Sequence, residues 1–155
     1  MEGLISMISY VDVTSVLQKC WDSAREEDVP TQFPGTPLDA TRLSCWYEFW
    51  VTQISHSPLR PSGLEILELV VDVHCYSRQS HKRQVFAMAD HVQSVLSQCV
   101  LSLPLVAGGT LAARGVLRLR EAVVRDLTRE TIRDAHLQLQ HVVVSLPGIA
   151  ERLAA

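Results

Sequence analysis

Six histidines are the side chains of this sequence best suited to acid–base or metal chemistry, because imidazole titrates near neutral pH and binds transition metals. Either role requires histidines that converge with carboxylates or with one another. His74 and Asp72 are two residues apart and share a face of a strand, whereas His136 and His141 are five apart and point to opposite faces. The sequence contains no H-x-H or H-x-x-x-H spacing. We therefore interpret the histidines as surface or interface residues: His56, His74, His81, His91, His136 and His141.

Motifs for nucleophilic catalysis and phosphate binding are also missing from the sequence. There is no G-x-S-x-G elbow, and the glycine pair Gly108-Gly109, followed by Thr110, does not belong to a G-x-x-x-x-G-K-[ST] loop. The cysteines form no C-x-x-C pair, which favours small buried hydrophobic residues in a reducing compartment over a zinc site or a redox motif. These cysteines are Cys20, Cys45, Cys75 and Cys99.

Three carboxylates, Glu65, Glu68 and Asp72, lie along one segment with the alternation of a strand. Paired carboxylates can perform acid–base catalysis. However, Glu68 and Asp72 are four residues apart on an extended strand and would not share one proton. We interpret the three as a solvated acidic stripe. The sequence thus predicts no enzyme, with no catalytic residue, no cofactor and no metal.

The three tryptophans are more informative about packing than about chemistry. Trp21 lies on the apolar face of a predicted helix and is expected in the core. Trp46 and Trp50 lie on the strand face opposite Tyr47 and Phe49. Because aromatic residues are enriched in protein–protein contacts, we expect these two in the core or between subunits. Stacking on single-stranded nucleic acid is less favoured, since no basic stripe accompanies them.

The elements that must position these residues follow from hydrophobic periodicity. Spacings of three and four indicate helices, and alternation indicates strands, the first two of which form a long hairpin. The segment 115–127 has the composition of a helix and the alternation of a strand, and we assign a strand because the final strand needs a partner. The predicted elements are a helix at 11–26, strands at 42–56 and 64–76, a helix at 80–98, and strands at 115–127 and 135–145.

This order, α-β-β-α-β-β, predicts one α+β domain over residues 1–155. We expect a four-stranded, mainly antiparallel sheet with two helices packed on one face. Two segments rich in proline or glycine, 28–41 and 99–114, are predicted as loops, and residues 146–155 as a short C-terminal tail with a frayed helical turn. The second face of the sheet is also apolar. Since two helices cover only one face, the sequence predicts association with other chains.

Composition limits the class of protein. Of 155 residues, 47% are hydrophobic and 20% charged, which excludes a disordered chain. The 14 basic and 17 acidic residues leave no basic excess for binding a phosphate backbone. No apolar run is long enough for a membrane span, and the first ten residues, MEGLISMISY, do not have the pattern of a secretory signal.

The order of elements resembles one protein family over nearly the whole chain. A first amphipathic helix precedes the proline-rich VPTQFPGTPLDAT, then come CWYEFWVTQIS, LELVVDVHCYS, the helix KRQVFAMADHVQSVLSQ and a C-terminal hairpin. This sequence is similar to the tail terminator proteins of long-tailed bacteriophages, also called tail completion or tail-to-head joining proteins. The resemblance implies a structural virion protein, assembled in the host cytoplasm and located in the tail or neck.

The resemblance also implies specific partners. These are other copies of the chain in a ring, expected to be a hexamer, together with the tail tube protein and a head connector or neck protein. Genomic DNA would pass through the lumen without sequence-specific binding, which agrees with the slightly acidic chain. No membrane is involved. The interface residues we expect are Trp46, Trp50, Phe33, Glu65, Glu68, Asp72, Gly108 and Gly109.

Two other functions remain open at this point. A neck or head-closure protein of the same virion would have the same sequence features. A small α+β enzyme or ligand-binding domain is a further alternative, and it would require polar residues that converge in a pocket.

Overall fold

The computed structural model describes residues 8–57, 65–107, 110–128 and 139–152. Neither helix in these ranges is long and apolar enough to cross a membrane. The described residues form, in chain order, α1 (Tyr10–Ala24), β1 (Thr31–Gln32), β2 (Cys45–Ser57), β3 (Ile66–Ser77), α2 (Arg83–Leu96), β4 (Val100–Ala107), β5 (Thr110–Leu119), β6 (Val123–Asp126) and β7 (Gln140–Arg152).

The seven strands form one mixed sheet that curls into a half-barrel. The strand order is β1-β2-β3-β7-β5-β4, and β6 pairs with β7 outside this path. β1 is parallel to β2, and the other pairs are antiparallel. β6 and β5 lie end to end along one edge of β7, opposite residues 142–145 and 148–152 respectively. The predicted four-stranded, mainly antiparallel sheet is therefore wrong.

The largest error concerns the predicted loop 99–114, which contains β4 and the first half of β5. Pro104 suggested a break, yet it lies within β4. The amide of Leu119 donates to the carbonyl of Cys99 at 2.9 Å, so every second residue of β4, counted from Cys99, directs its backbone groups towards β5. Pro104 is one of the intervening residues that face away from β5. Its missing N–H therefore breaks no bond of the sheet.

The last strand is longer than the predicted 135–145, because Pro147 and Gly148 continue it. A Cβ atom at Gly148 would lie 2.8 Å from Cδ2 of Leu119, so glycine allows close packing here and does not end the strand. The predicted helical turn at 149–155 is wrong as far as Arg152, and its last three residues lie outside the described ones.

The segment 115–127 forms strands, as we assigned it, but two of them. β5 ends at Leu119 and β6 begins at Val123, so the chain leaves the edge of β7 and rejoins it further along. The connection between the predicted strands 115–127 and 135–145 lies outside the described residues from residue 129 onward.

Both predicted helices are present. Ser9 caps α1, because its Oγ accepts the amide proton of Val11 at 3.2 Å. The buried face of α1 consists of Val13, Leu17 and Trp21, at spacings of four residues. α2 begins at Arg83, later than the predicted start at residue 80, and its N-cap residue Lys82 makes no capping hydrogen bond through its side chain. Its buried residues are Val85, Met88, Ala89, Val92 and Leu96.

Trp21 joins α1 to the sheet. The indole ring is fully buried and makes a T-shaped contact with Tyr47 at 5.0 Å between ring centroids. Its Nε1 donates to Oγ1 of Thr31 in β1 at 2.9 Å. A buried indole N–H needs a partner of this kind, because leaving it unbonded costs about 1–3 kcal/mol. The expectation that Trp21 belongs to the core is confirmed.

The long hairpin predicted over 42–76 corresponds to β2 and β3, with an irregularity that the sequence pattern does not reveal. The register shifts between Val51 and Gln53, which is a β-bulge at Thr52. Beyond the bulge every side chain changes face. Ile54, which alternation places on the same face as Trp46, therefore packs against the core instead.

Candidate functional site

Several of the expected interface residues lie on the side of the sheet that faces away from the helices. On β3, alternate residues from Leu67 to Cys75 are buried in one core with both helices, so the residues between them point the other way. We call this second side the outer face. Across β2, β3 and β7 it carries Trp46, Glu48, Trp50, Asp72, His74, Tyr76, His141, Val143 and Ser145.

Three rings cross the outer face in register and form what we call the aromatic row: Trp46 of β2, Tyr76 of β3 and His141 of β7. Trp46 stacks on Tyr76 with centroids 5.0 Å apart, and Tyr76 stacks on His141 at 4.3 Å, both with interplanar angles of 15°. The guanidinium carbon of Arg78 lies 5.1 Å from the centre of the Trp46 ring, a cation–π contact. Burial, with smaller effects from Glu48 and Cys75, raises the pKa of Tyr76 to about 12.

His74 extends the row to a fourth ring. Its Nδ1 lies 2.7 Å from Nε2 of His141, which is a hydrogen bond between two imidazoles. Burial lowers the pKa of His74, although Asp72 and Glu48 oppose the shift. Burial and the adjacent His74 ring lower the pKa of His141 to about 4. The two rings are therefore held neutral in a part of the outer face that is half-buried or buried.

The acidic residues expected to form one stripe occupy three different environments. Glu65 is buried, and its Oε1 accepts the amide proton of Ile8 and contacts Nε2 of His56, both at 2.8 Å. Glu68 is exposed. Asp72 is half-buried, with one oxygen 2.9 Å from Oγ1 of Thr52 and the other 2.5 Å from Oγ of Ser145. The carboxylates therefore do not form one solvated stripe on the isolated chain.

A shallow depression of about 550 Å³ lies at the other end of the outer face, beside the bulge of β2. Its lining includes the apolar residues Val70 of β3 and Pro147 of β7 and the charged residues Glu68 and Arg120. The amide of Arg120 donates to the carbonyl of Pro147 at 2.8 Å. The depression is open and contains a mixture of polar and apolar groups. Its lining is Thr52, Gln53, Ile54, Ser55, Glu68, Leu69, Val70, Arg120, Pro147, Gly148 and Ile149.

The remaining expected interface residues differ in their burial and in the side of the sheet on which they lie. Trp46 is only 5% exposed, and Trp50 is half-buried with its Nε1 3.4 Å from a carboxylate oxygen of Glu48. Phe33 packs against Phe49 with ring centroids 5.8 Å apart, on the core side of the sheet. Gly108 and Gly109 lie outside the described residues.

The contact between His74 and His141 was not found from the sequence. Alternation correctly put Asp72 and His74 on one face, but nothing in the sequence stated that β7 would be the neighbour of β3. The pairing of Tyr76 with His141 follows only from the register of these two strands.

The side chains that could bind a metal ion do not cluster in the part of the chain that is described. Within it no group of three or more His, Cys, Asp or Glu side chains is placed to hold a metal ion. The four cysteines are free thiols, and burial raises the pKa of Cys75 above its ordinary value.

Comparison with known proteins gives matches in structure and not in sequence. No family model and no curated protein matches the chain. A chain from the virion of a native gene transfer agent particle has a TM-score of 0.54 and 12% identity, covering 92% of this chain and 99% of that one. The PVC sheath/tube terminator of an extracellular contractile injection system, in the extended state, has a TM-score of 0.47 and 12% identity, covering 97% of this chain and 59% of that one.

The first of these likenesses shows that the two chains share a fold over almost their full lengths. The resemblance to a virion component that the sequence predicted is thus confirmed at the level of the fold.

Proposed function

We propose that this chain is a structural virion protein that terminates a phage-type tail. In this proposal several copies form a ring, expected to be a hexamer, that caps the tail tube and joins it to the head connector. The single observation that carries the proposal is the fold shared with a chain of a gene transfer agent virion, at 99% coverage of that chain. The order of elements that resembles tail terminator proteins adds to it. Such a role requires no catalysis, and we assign none.

The sheet offers a way for identical copies to associate. β4 is the last strand on one side of the sheet, and among the described residues its outer edge has no partner strand. On the other side β1 pairs only with Tyr47 and Glu48, so the rest of β2 is also an edge. An unpaired edge can accept a strand of another chain. Because the two edges lie at opposite ends of the sheet, contact between unlike edges is head-to-tail and can close into a ring.

The outward-facing backbone of β4 can be identified residue by residue. The bond from Leu119 to Cys99 implies that Leu101 and Leu103 bond to β5, and that Val100 and Ser102 direct their N–H groups away from it. Leu103 is fully buried, whereas Val100 is 58% exposed. Ser102 is also exposed, and it lies further from the start of β4 than Val100, so a proline at Ser102 blocks the edge without removing a bond to β5.

The lumen of such a ring must let DNA pass without holding it. A chain with 17 acidic and 14 basic residues has the charge sign that repels phosphate weakly. Among the three carboxylates expected at an interface, Glu68 is exposed, Asp72 is half-buried and Glu65 is buried. We therefore propose that Glu68 is the charge at the lumen or interface, and that Glu65 stabilises the fold of the subunit.

The test uses the purified full-length chain with tail tubes of its own particle. Mass photometry and electron microscopy should show the wild-type chain as a ring, either free or at one end of the tubes. Ser102→Pro removes an outward N–H and should reduce ring formation, whereas Ser102→Ala, the matched control, should not. Unchanged melting temperatures of both variants would locate the effect in assembly. A chain that stays monomeric with tubes present and leaves their ends uncapped refutes the proposed function.

A further inference from the structure

The hydrogen bond between His74 and His141 can exist only while at least one ring nitrogen of the pair is unprotonated. The ring centroids are 5.0 Å apart and the nearest nitrogens 2.7 Å, with 28° between the ring planes, so the rings meet edge to edge with their nitrogens facing. A neutral imidazole has one N–H and one free lone pair. One ring must therefore donate and the other accept. With a proton on every nitrogen, two N–H groups and two positive charges would face each other, and the bond would be lost.

The charged neighbours of the pair do not remove this restriction. Glu48 on β2 and Asp72 on β3 favour a positive charge on His74, and Arg125 on β6 opposes it. Asp126, also on β6, favours a charge on His141. These four side chains lie on the strands β2, β3 and β6. The three carboxylates can stabilise an imidazolium ion, but they cannot make a hydrogen bond between two N–H groups that face each other.

The state of the pair is coupled to the packing of the aromatic row. His141 is 7% exposed and has Tyr76 stacked on it at 4.3 Å, and Tyr76 in turn stacks on Trp46. Nε1 of Trp46 is buried with no partner in the described part of the chain, so contacts of the ring face position this side chain. A displacement of His141 therefore changes the packing of rings on all three central strands.

We propose that the His74–His141 pair is an acid-operated latch of the outer face. With at most one ring protonated, the N–H···N bond keeps His141 under Tyr76. A second proton breaks the bond, and repulsion between the two imidazolium ions moves His141 out of the aromatic row. The outer face then gains positive charge and loses its ordered stack, so contacts made through it change at acid pH. The latch belongs to the isolated subunit and does not depend on the proposed tail function.

The sign of the effect on stability follows from proton linkage. The folded chain holds the pKa of His141 at about 4, whereas the unfolded chain has the ordinary value of about 6.5. Between pH values of about 6.5 and 4 the unfolded chain binds more protons at this site than the folded one. The neutral His141 therefore contributes its whole stabilising effect above about pH 6.5, and the free energy of unfolding decreases as the pH falls below that value. Below about 4 the folded pair also takes up its protons, and the latch opens.

The deciding measurement is a histidine titration of the wild-type chain by 15N NMR, from neutral pH to below the pKa of His141. We expect His74 and His141 to protonate in two separated steps, with the ring signals of Tyr76 shifting at the second step. Two independent titrations near the ordinary value of about 6.5, or a Tyr76 signal that does not respond, overturn the proposal.

A variant series supports this measurement. His141→Phe retains a ring to stack on Tyr76 but removes both the bond and the titration. Its melting temperature should decrease by less than that of the wild type between neutral pH and the pKa of His141. His81→Phe, at an exposed histidine ahead of α2, should retain the wild-type dependence. Equal pH dependence of all three proteins contradicts the latch. If H141F does not fold, the wild-type titration still decides.

Discussion

Glu65 allows the sharpest test of the difference between a carboxylate that stabilises the subunit and one that is available to partners. It is 4% exposed, and its Oε1 holds the amide of Ile8 ahead of α1 and the ring of His56 at the end of β2. Its own carbonyl accepts the amide proton of Arg152 at 3.3 Å. Glu68, three residues along the chain, is exposed. Glu65→Ala keeps the backbone bond to Arg152 but removes the side-chain contacts to Ile8 and His56, whereas Glu68→Ala removes neither contact.

The magnitude follows from these bonds. A hydrogen bond to a charged group contributes about 1.5–3 kcal/mol, and a polar partner left buried costs about 1–3 kcal/mol. His56 has 23% of its side chain exposed and can be rehydrated in part, which limits the total. We expect Glu65→Ala to lower the free energy of unfolding by about 3 kcal/mol. For a chain of this size this corresponds to a decrease in melting temperature of about 6–12 °C.

Differential scanning calorimetry of Glu65→Ala, Glu65→Gln and Glu68→Ala provides the assay. Glu65→Gln keeps an acceptor for Ile8 and should be intermediate, because neutral hydrogen bonds are about half as strong as charge-assisted ones. Glu68→Ala should stay within about 0.5 kcal/mol of the wild type. Equal melting temperatures for Glu65→Ala and Glu68→Ala would refute the assignment of Glu65 to the fold.

Two further predictions concern packing. A Cβ atom at Gly115 would lie 2.7 Å from the backbone oxygen of Glu151, so Gly115→Ala should cost about 1–3 kcal/mol in urea unfolding. Gly35→Ala measures backbone strain alone, because Gly35 has a φ of +78° and no atom within 4 Å of the added Cβ. If Gly115→Ala lowers the free energy of unfolding by no more than about 0.5 kcal/mol, the steric clash is refuted. Thr31→Val should cost about 1–2 kcal/mol, because Nε1 of Trp21 loses its acceptor. The same change in a Trp21→Phe background should cost less than about 0.5 kcal/mol, and equal losses in the two backgrounds would show that the bond contributes nothing.

The sequence predicts the local elements of this fold better than their arrangement. Period-two alternation identified β2 and β3, and spacings of three and four identified both helices, since each pattern reflects one buried face. The β4–β5 hairpin was missed because Pro104 and Gly108-Gly109 are breakers in most contexts. An edge position tolerates proline, but whether a strand is at an edge is a property of the whole sheet.

The same limit applies to the candidate site. Alternation placed Asp72 and His74 on one face, yet the pairs that give this face its character come from register between distant strands. His141 lies 67 residues from His74 along the chain, and their contact depends on β7 inserting between β3 and β5. The bulge at Thr52 is likewise visible only in the pairing of β2 with β3. It changes the face on which Ile54 lies, and no proline or glycine in the sequence marks it.

The burial of the outer face changes the physical reason for expecting association. The sequence argument was that two helices leave a second apolar face open. Trp46, His141 and Val143 belong to that face, yet they are 5%, 7% and 1% exposed in the single chain. The large apolar side chains that are exposed in the described residues lie on the strands β4 and β6 and on the two helices. They are Val100, Val123 and Val124 on the strands, and Tyr10, Val11 and Phe86 on the helices. The strand edges are therefore a better basis for the proposed association of copies than a broad apolar layer on the outer face. This is why a proline on the edge of β4 is a more decisive perturbation than the loss of a tryptophan from the outer face.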